Sequence, residues 1–191
     1  MRTKKGEAGY IHSRKLQVLL KTILEFGIVI ALLVLGIVQS GSRMNVLTIV
    51  AILGCLPASK ALVELIMILP HKSITKEMAA EIDLNAEGIT RAYDIVLTSE
   101  KKIMPLDCVV ISNNMICGYT SSQKVDVPFA AQHIKQYLYA NQFTNVSVKI
   151  FNDYTAFITR AEGLNNMAMV EKADCKEQEM AIRQVILSLS L

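Results

Sequence analysis

Glycine (9 of 191 residues), proline (4) and cysteine (4) are scarce, tryptophan is absent, and only 19% of the side chains are charged. So few glycines cannot build a collagen-like repeat, and a net charge of +3 on an apolar chain does not fit a disordered one. Cys55, Cys108, Cys117 and Cys175 have neither disulfide-framework nor metal-ligand spacing, which fits a reducing compartment. Gly88, Gly118 and Gly163 stand alone, so there is no glycine-rich phosphate loop. What remains is oily: 52% of residues are hydrophobic and the mean hydropathy is +0.36. The length suits one domain plus an anchor. Charge divides the same way. Residues 1–72 hold nine Lys/Arg against three acids, whereas residues 73–191 hold eleven against fourteen.

Two apolar runs, 16–38 and 46–69, each reach the roughly 20 helical residues that a bilayer core requires only when their charged ends are included. The link Gln39-Ser40-Gly41-Ser42-Arg43 is short and turn-like, so the two helices are expected to be antiparallel. A cleaved leader ending near Val38-Gln39-Ser40 is the rival reading, but its apolar part is long and a second run follows at once. A soluble bundle is disfavoured because Phe26–Val38 has no polar face. Arg2, Lys4, Lys5, Arg14 and Lys15 precede the first run, and His71, Lys72 and Lys76 follow the second, against Arg43 alone in the link. The positive-inside rule then predicts a multi-pass protein of the cell membrane with both termini cytoplasmic. The expected divisions are a basic cytosolic arm (1–15) suited to anionic headgroups, a transmembrane helical hairpin (16–70) and a cytosolic domain (73–191).

Within the runs, Lys21 and Glu25 are four residues apart, as are Lys60 and Glu64. Counted from the link, Glu25 lies level with Lys60 and Lys21 level with Glu64, so opposite charges come to matching depth. Charges at membrane depth are costly unless paired, and cross-helix pairing would fix the helix register. The alternative is pairing within each helix, with the ends snorkelling to the interface. Gly27-x3-Ala31 and Gly54-x3-Ala58 are small-residue pairs turned away from these charges, one face suited to closing the hairpin and the other to a second copy.

The remainder predicts an α/β domain of order α-β-β-β-α-β-α-α. Residues 74–86 read as a helix capped by Ser73 or Thr75, with Gly88 as its stop. Strands are expected at 93–98, 106–112 and 115–120, with Asn113-Asn114 as a tight turn between the last two. Pro128 suits the first turn of a helix at 127–141 behind Asp126, and residues 145–151 form the fourth strand. Tyr154, Phe157, Ile158, Ala161 and Leu164 make a helical stripe behind Asn152 or Asp153. Asp174 with Glu177 forms a capping box for a last helix carrying Ile182, Val185, Ile186 and Leu189.

This order resembles the αβββαβ core of restriction-endonuclease-like proteins, in particular the NERD-type nuclease-related domains. Asp107, in Pro105-Leu106-Asp107, matches the acidic position entering their second core strand. The strand that should end in Glu-x-Lys reads Met115-Ile-Cys-Gly-Tyr-Thr-Ser-Ser122 and has neither residue. The resemblance implies Mg²⁺ held by two carboxylates and a lysine at the phosphate, and with one carboxylate left that chemistry is not expected. The whole layout also looks like the uncharacterised two-span membrane proteins of Gram-positive bacteria.

Other catalytic constellations are thin. His133 would serve Cys108 or Cys117 as a base only if the fold brought them together. A net negative domain without arginine clusters disfavours nucleic acid. No catalytic residue, metal or cofactor is assigned. The function expected is a membrane-anchored, non-enzymatic cytosolic module that binds a protein partner, with the bilayer and a second copy as its other partners. The alternatives are a tethered nuclease-like or other enzymatic domain, and an oligomeric transporter or channel component built on Lys21, Glu25, Lys60 and Glu64.

Overall fold

In a computed structural model, residues 3–40, 46–99, 102–171 and 175–190 are described. The chain divides into two compact units, one of residues 11–72 and one in which the N-terminal ten residues join residues 73–191.

The first unit is a pair of helices, α1 (Tyr10–Ser40) and α2 (Val46–Ile68), both long and apolar enough to cross a membrane. Their inner faces repeat at intervals of three and four. On α2 the side facing α1 is Ala51, Gly54, Ala58 and Ala61, followed by Ile68, and the four small residues let the backbones come close. On α1 the buried residues are Ile11, Val18, Thr22, Val29 and Gly36, with Glu25 half-buried among them. A Cβ placed on Gly54 would lie 3.2 Å from the Val29 side chain, which fixes the contact point. The outer faces of both helices are rich in exposed apolar side chains, from Leu16 to Val38 on α1 and from Val46 to Ile66 on α2, and only 17% of either helix's most apolar stretch is buried. The link expected at 39–43 falls largely outside the described residues.

The second unit has the element order anticipated from the sequence: α3 (Lys76–Asn85), β1 (Thr90–Thr98), β2 (Ile103–Ser112), β3 (Met115–Tyr119), α4 (Val127–Ala140), β4 (Ser147–Phe151), α5 (Tyr154–Glu171) and α6 (Lys176–Leu189). The four strands lie in the order β1-β2-β3-β4, antiparallel except for the parallel β3–β4 pair that α4 connects. One face carries Ile95, Leu106, Val109, Ile111 and Ile116 under α4 and α6, which contribute Ile134, Leu138, Ile182 and Ile186. The other carries Cys108, Val110, Cys117 and Tyr119 under α3 and α5, through Ile82, Phe157, Ala161 and Leu164. Thr75 caps α3 by accepting the Met78 N–H at 3.3 Å, and Asp126 caps α4 through the Phe129 N–H at 3.2 Å. Asp153 does the same for α5 through the Thr155 N–H at 2.9 Å. Asn113 takes the left-handed backbone of the β2–β3 turn (φ 51°). The capping box expected from Asp174 lies outside the described residues at its first member; Cys175 precedes α6 and its side chain makes no capping bond.

The N-terminal residues depart most from expectation. Instead of a free arm, residues 3–9 lie along the outer edge of β1, where the Tyr93 N–H donates to the Gly6 carbonyl at 3.0 Å. Lys5 donates to the Ser190 carbonyl at 2.7 Å and the Arg183 guanidinium to Gly6 at 3.3 Å. Leu97 and Ser190 bridge farther along the same edge. An exposed strand edge is a hazard for stray pairing, and here the chain's own ends cover it.

Candidate functional site

Two places in the molecule gather polar chemistry, one in each unit.

In the helix pair, the cross-helix pairs anticipated from matching depth do not form. Lys21 Nζ and Glu25 Oε1 are 3.7 Å apart within α1, and Glu64 is instead engaged by Arg14. The reason is rotational. The α2 seam runs through Ala58 and Ala61, so Lys60 falls beside it on the exposed surface while Glu25 enters it from α1. Glu25 Oε2 is buried without a hydrogen-bond partner. At the base of the pair, Lys15 Nζ donates to the Leu69 carbonyl at 2.6 Å, and burial together with Lys15 holds His71 below the ordinary imidazole range. The small residues also divide differently from the expectation. Gly54 and Ala58 close the pair internally, whereas Gly27 and Ala31 are exposed and nothing comes within 4 Å of a Cβ on Gly27.

In the domain, the ladder between β1 and β2 runs from Thr90↔Ile111 to Tyr93↔Cys108 and resumes at Ile95↔Leu106. Asp94 and Asp107 are the facing pair that it skips. Asp94 adopts a left-handed backbone (φ 54°), and at this step both strands exchange faces. Ala92 and Val109 point to the α4/α6 side, Tyr93 and Cys108 to the α3/α5 side, but beyond the break Ile95 and Leu106 are again on the α4/α6 side. Asp94 is 4% exposed, and its carboxylate is hydrogen-bonded. It accepts the Ser73 hydroxyl on one oxygen and the Ile74 N–H at 3.0 Å on the other. Ser73 Oγ in turn accepts the Gly9 N–H at 3.1 Å. Asp94 thus ties the two segments that lead to and from the helix pair onto one residue of β1. Sequence reasoning passed over it, although one signal was there: a single acid inside the apolar run Tyr93-Asp94-Ile-Val-Leu97.

Asp107 is half-buried and accepts the Ser121 N–H, while the Thr120 hydroxyl donates to the Pro105 carbonyl at 2.8 Å. The end of β3, where Glu-x-Lys would stand, is therefore folded back onto β2 as structure. Burial pushes the Asp107 carboxyl above the ordinary carboxylate range and Asp94's charge adds to this, against the Ser121 hydrogen bonds. A raised folded-state value means that the fold tolerates the protonated form better than the charged one, relative to the unfolded chain. Its contribution to stability is present at low pH and is lost as pH rises through the raised value. Asp107→Asn is therefore expected to remove that loss, flattening the urea-midpoint profile over the pH range just above the ordinary carboxylate value.

The remaining candidates do not assemble. His133 lies on α4 against Phe129 (ring centroids 6.2 Å apart), whereas Cys108 and Cys117 are buried on the opposite side of the sheet. Burial raises both thiols, Cys108 well above its ordinary value. Tyr93 of β1 donates to Asp83 at 2.7 Å, holding α3 to the sheet, and Tyr154 of α5 donates to Glu81 at 2.7 Å, joining α5 to α3. Glu179, 5% exposed, accepts the Thr90 hydroxyl at 2.7 Å and the Asn113 N–H at 2.8 Å, fixing the β2–β3 turn. Among the described residues no three His, Cys, Asp or Glu side chains converge as a metal site would require. An apolar surface does stand open: Met169 lies beside Gly88 just past α3, and Met167 and Val170 share its end of α5, Val170 at 83% exposure.

The sequence matches no protein-family model, no curated protein and no solved structure.

Proposed function

We propose that this is a membrane-anchored protein whose α/β domain, on the cytoplasmic side with both termini, holds a protein partner. The observation that carries the anchor is the exposed apolar side chains along α1 (Leu16 to Val38) and α2 (Val46 to Ile66), around a seam of alanines and glycine. Water does not solvate such a surface cheaply, and lipid does. The orientation rests on the lysines and arginines flanking the two helices. Partner binding rests on the open methionine and valine surface at the end of α5, since methionine adapts to varied partners. A photo-crosslinking residue at position 170 of the full chain is expected to give one discrete adduct in cells, which Met169→Ser weakens. Adducts no different from those of a probe at Lys124 would oppose the reading.

A second reading, as a component of a proton or ion path, draws on Glu25, whose Oε2 has no partner in the seam. In proteoliposomes carrying a pH gradient, Glu25→Gln is expected to leave the proton leak unchanged. A leak that the full chain creates and this substitution abolishes would favour the path over the anchor.

A further inference from the structure

We propose that the outer edge of β4 takes an extended, acidic segment of a partner protein as a fifth strand of the sheet. The proposal rests on the partner-binding reading and deepens it, on a surface separate from the end of α5.

The two edges of the sheet differ. β1 is covered by residues 3–9 and bridged by Ser190, whereas β4 pairs with β3 alone. At the two ends of the β3–β4 ladder, the Ser147 N–H donates to the Asn114 carbonyl and the Thr120 N–H to the Phe151 carbonyl, both at 2.9 Å. Parallel strands bond through alternate residues, so Ser147, Lys149 and Phe151 turn their main-chain groups towards β3. The N–H and C=O groups of Val148 and Ile150 therefore point outward, and among the described residues nothing pairs with them. An added strand would bond to these groups.

The side chains along this edge set the partner's chemistry. On the α5 side, Lys149 is exposed, with its ammonium 5.0 Å from the centroid of the Phe151 ring. Arg160 of α5, also exposed, donates to the Met115 sulfur at 3.5 Å, and Met115 is in register with Ser147. Two cations thus follow one face of the strand, and among the described residues neither forms an ion pair with a carboxylate. The acid that follows β4, Asp153, is engaged at the start of α5 by the Thr155 N–H. On the α4 side stand Val148 and Phe143, half-buried against the core, and buried Ile150.

A segment alternating acidic and apolar residues matches both faces. Its carboxylates would stand beside Lys149 and Arg160, and its apolar side chains beside Val148 and Phe143. A second copy fits worse. Antiparallel pairing of two β4 edges through Val148 and Ile150 would set Lys149 directly opposite the Lys149 of the other copy.

The test is binding of a short, capped peptide alternating glutamate and valine to the full chain in phosphatidylcholine nanodiscs. Amide hydrogen exchange is read at Val148 and Ile150, where saturating peptide is expected to slow it about tenfold or more. Lys149→Gln with Arg160→Gln should weaken binding about tenfold or more. Lys149→Glu with Arg160→Glu should reject this peptide and bind its lysine–valine counterpart instead. Binding that leaves exchange at Val148 and Ile150 unchanged, or that the glutamine substitutions do not weaken, overturns strand addition. No binding, with a discrete adduct still formed from position 170, overturns the edge and leaves the α5 surface standing. No binding and no adduct overturn both.

Discussion

Replacing Asp94 with alanine is expected to destabilise the α/β domain by about 4 kcal/mol, read as a lowered urea midpoint of the full chain in detergent. Three effects add. The Ser73 hydroxyl and the Ile74 N–H lose a charged acceptor inside the fold, and hydrogen bonds to charged groups contribute about 1.5–3 kcal/mol each. The new residue must also hold φ 54°, a conformation that aspartate and asparagine tolerate better than alanine. Asp94→Asn keeps the backbone preference and one acceptor, so about half the loss is expected. Ser73→Ala removes the link to Gly9 and should loosen residues 3–9 ahead of the sheet. An alanine variant as stable as the unsubstituted chain would mean that the Asp94 carboxylate is not the tie.

In the helix pair, Gly54→Leu is expected to cost about 3 kcal/mol of helix association, measured by denaturation of the full chain in mixed micelles. The position has no room, since even a methyl group would stand 3.2 Å from Val29. Gly27→Leu is the matched control, because that glycine faces open space, and there the pair should be unaffected to within about 0.5 kcal/mol. The same control reads the second copy. If Gly27 and Ala31 meet a partner hairpin, Gly27→Leu will shift the full chain from oligomer to monomer in light scattering while leaving the pair intact. If oligomer size follows Gly54 instead, the two faces have been assigned in reverse.

The periodic parts of this molecule were legible because burial imposes a period on the sequence. The α5 stripe of Phe157, Ala161 and Leu164 and the α6 residues Ile182 and Ile186 lie where a 3.6-residue repeat puts them. Strand limits were less so. β2 begins at Ile103 rather than 106 and runs through Pro105, because β3 is too short to pair there and the missing N–H has no ladder to break. α1 begins at Tyr10, six residues ahead of its apolar run, because Arg14 and Lys15 are satisfied by Glu64 on α2 and by the Leu69 carbonyl just past it. Pairing by depth misled for the charges because depth says nothing about rotation. The alanine positions of α2 settle the rotation, and they leave Lys60 outside the seam. Neither the seat of residues 3–9 on the β1 edge nor the Asp94 tie has a local signature, since both join residues more than sixty apart in sequence or break the pattern of a strand.

The central claim, a hairpin in the membrane carrying a cytoplasmic domain, is tested most directly by the protein's own thiols. Cys108 and Cys117 are buried and silent, Cys175 sits partly exposed at the start of α6, and Cys55 is exposed on the apolar face of α2. A membrane-impermeant maleimide should label Cys175 in inverted membrane vesicles but not in intact cells, and should leave Cys55 unmodified in both until detergent removes the lipid. Labelling of Cys175 from outside intact cells would reverse the orientation, and labelling of Cys55 without detergent would take the hairpin out of the bilayer.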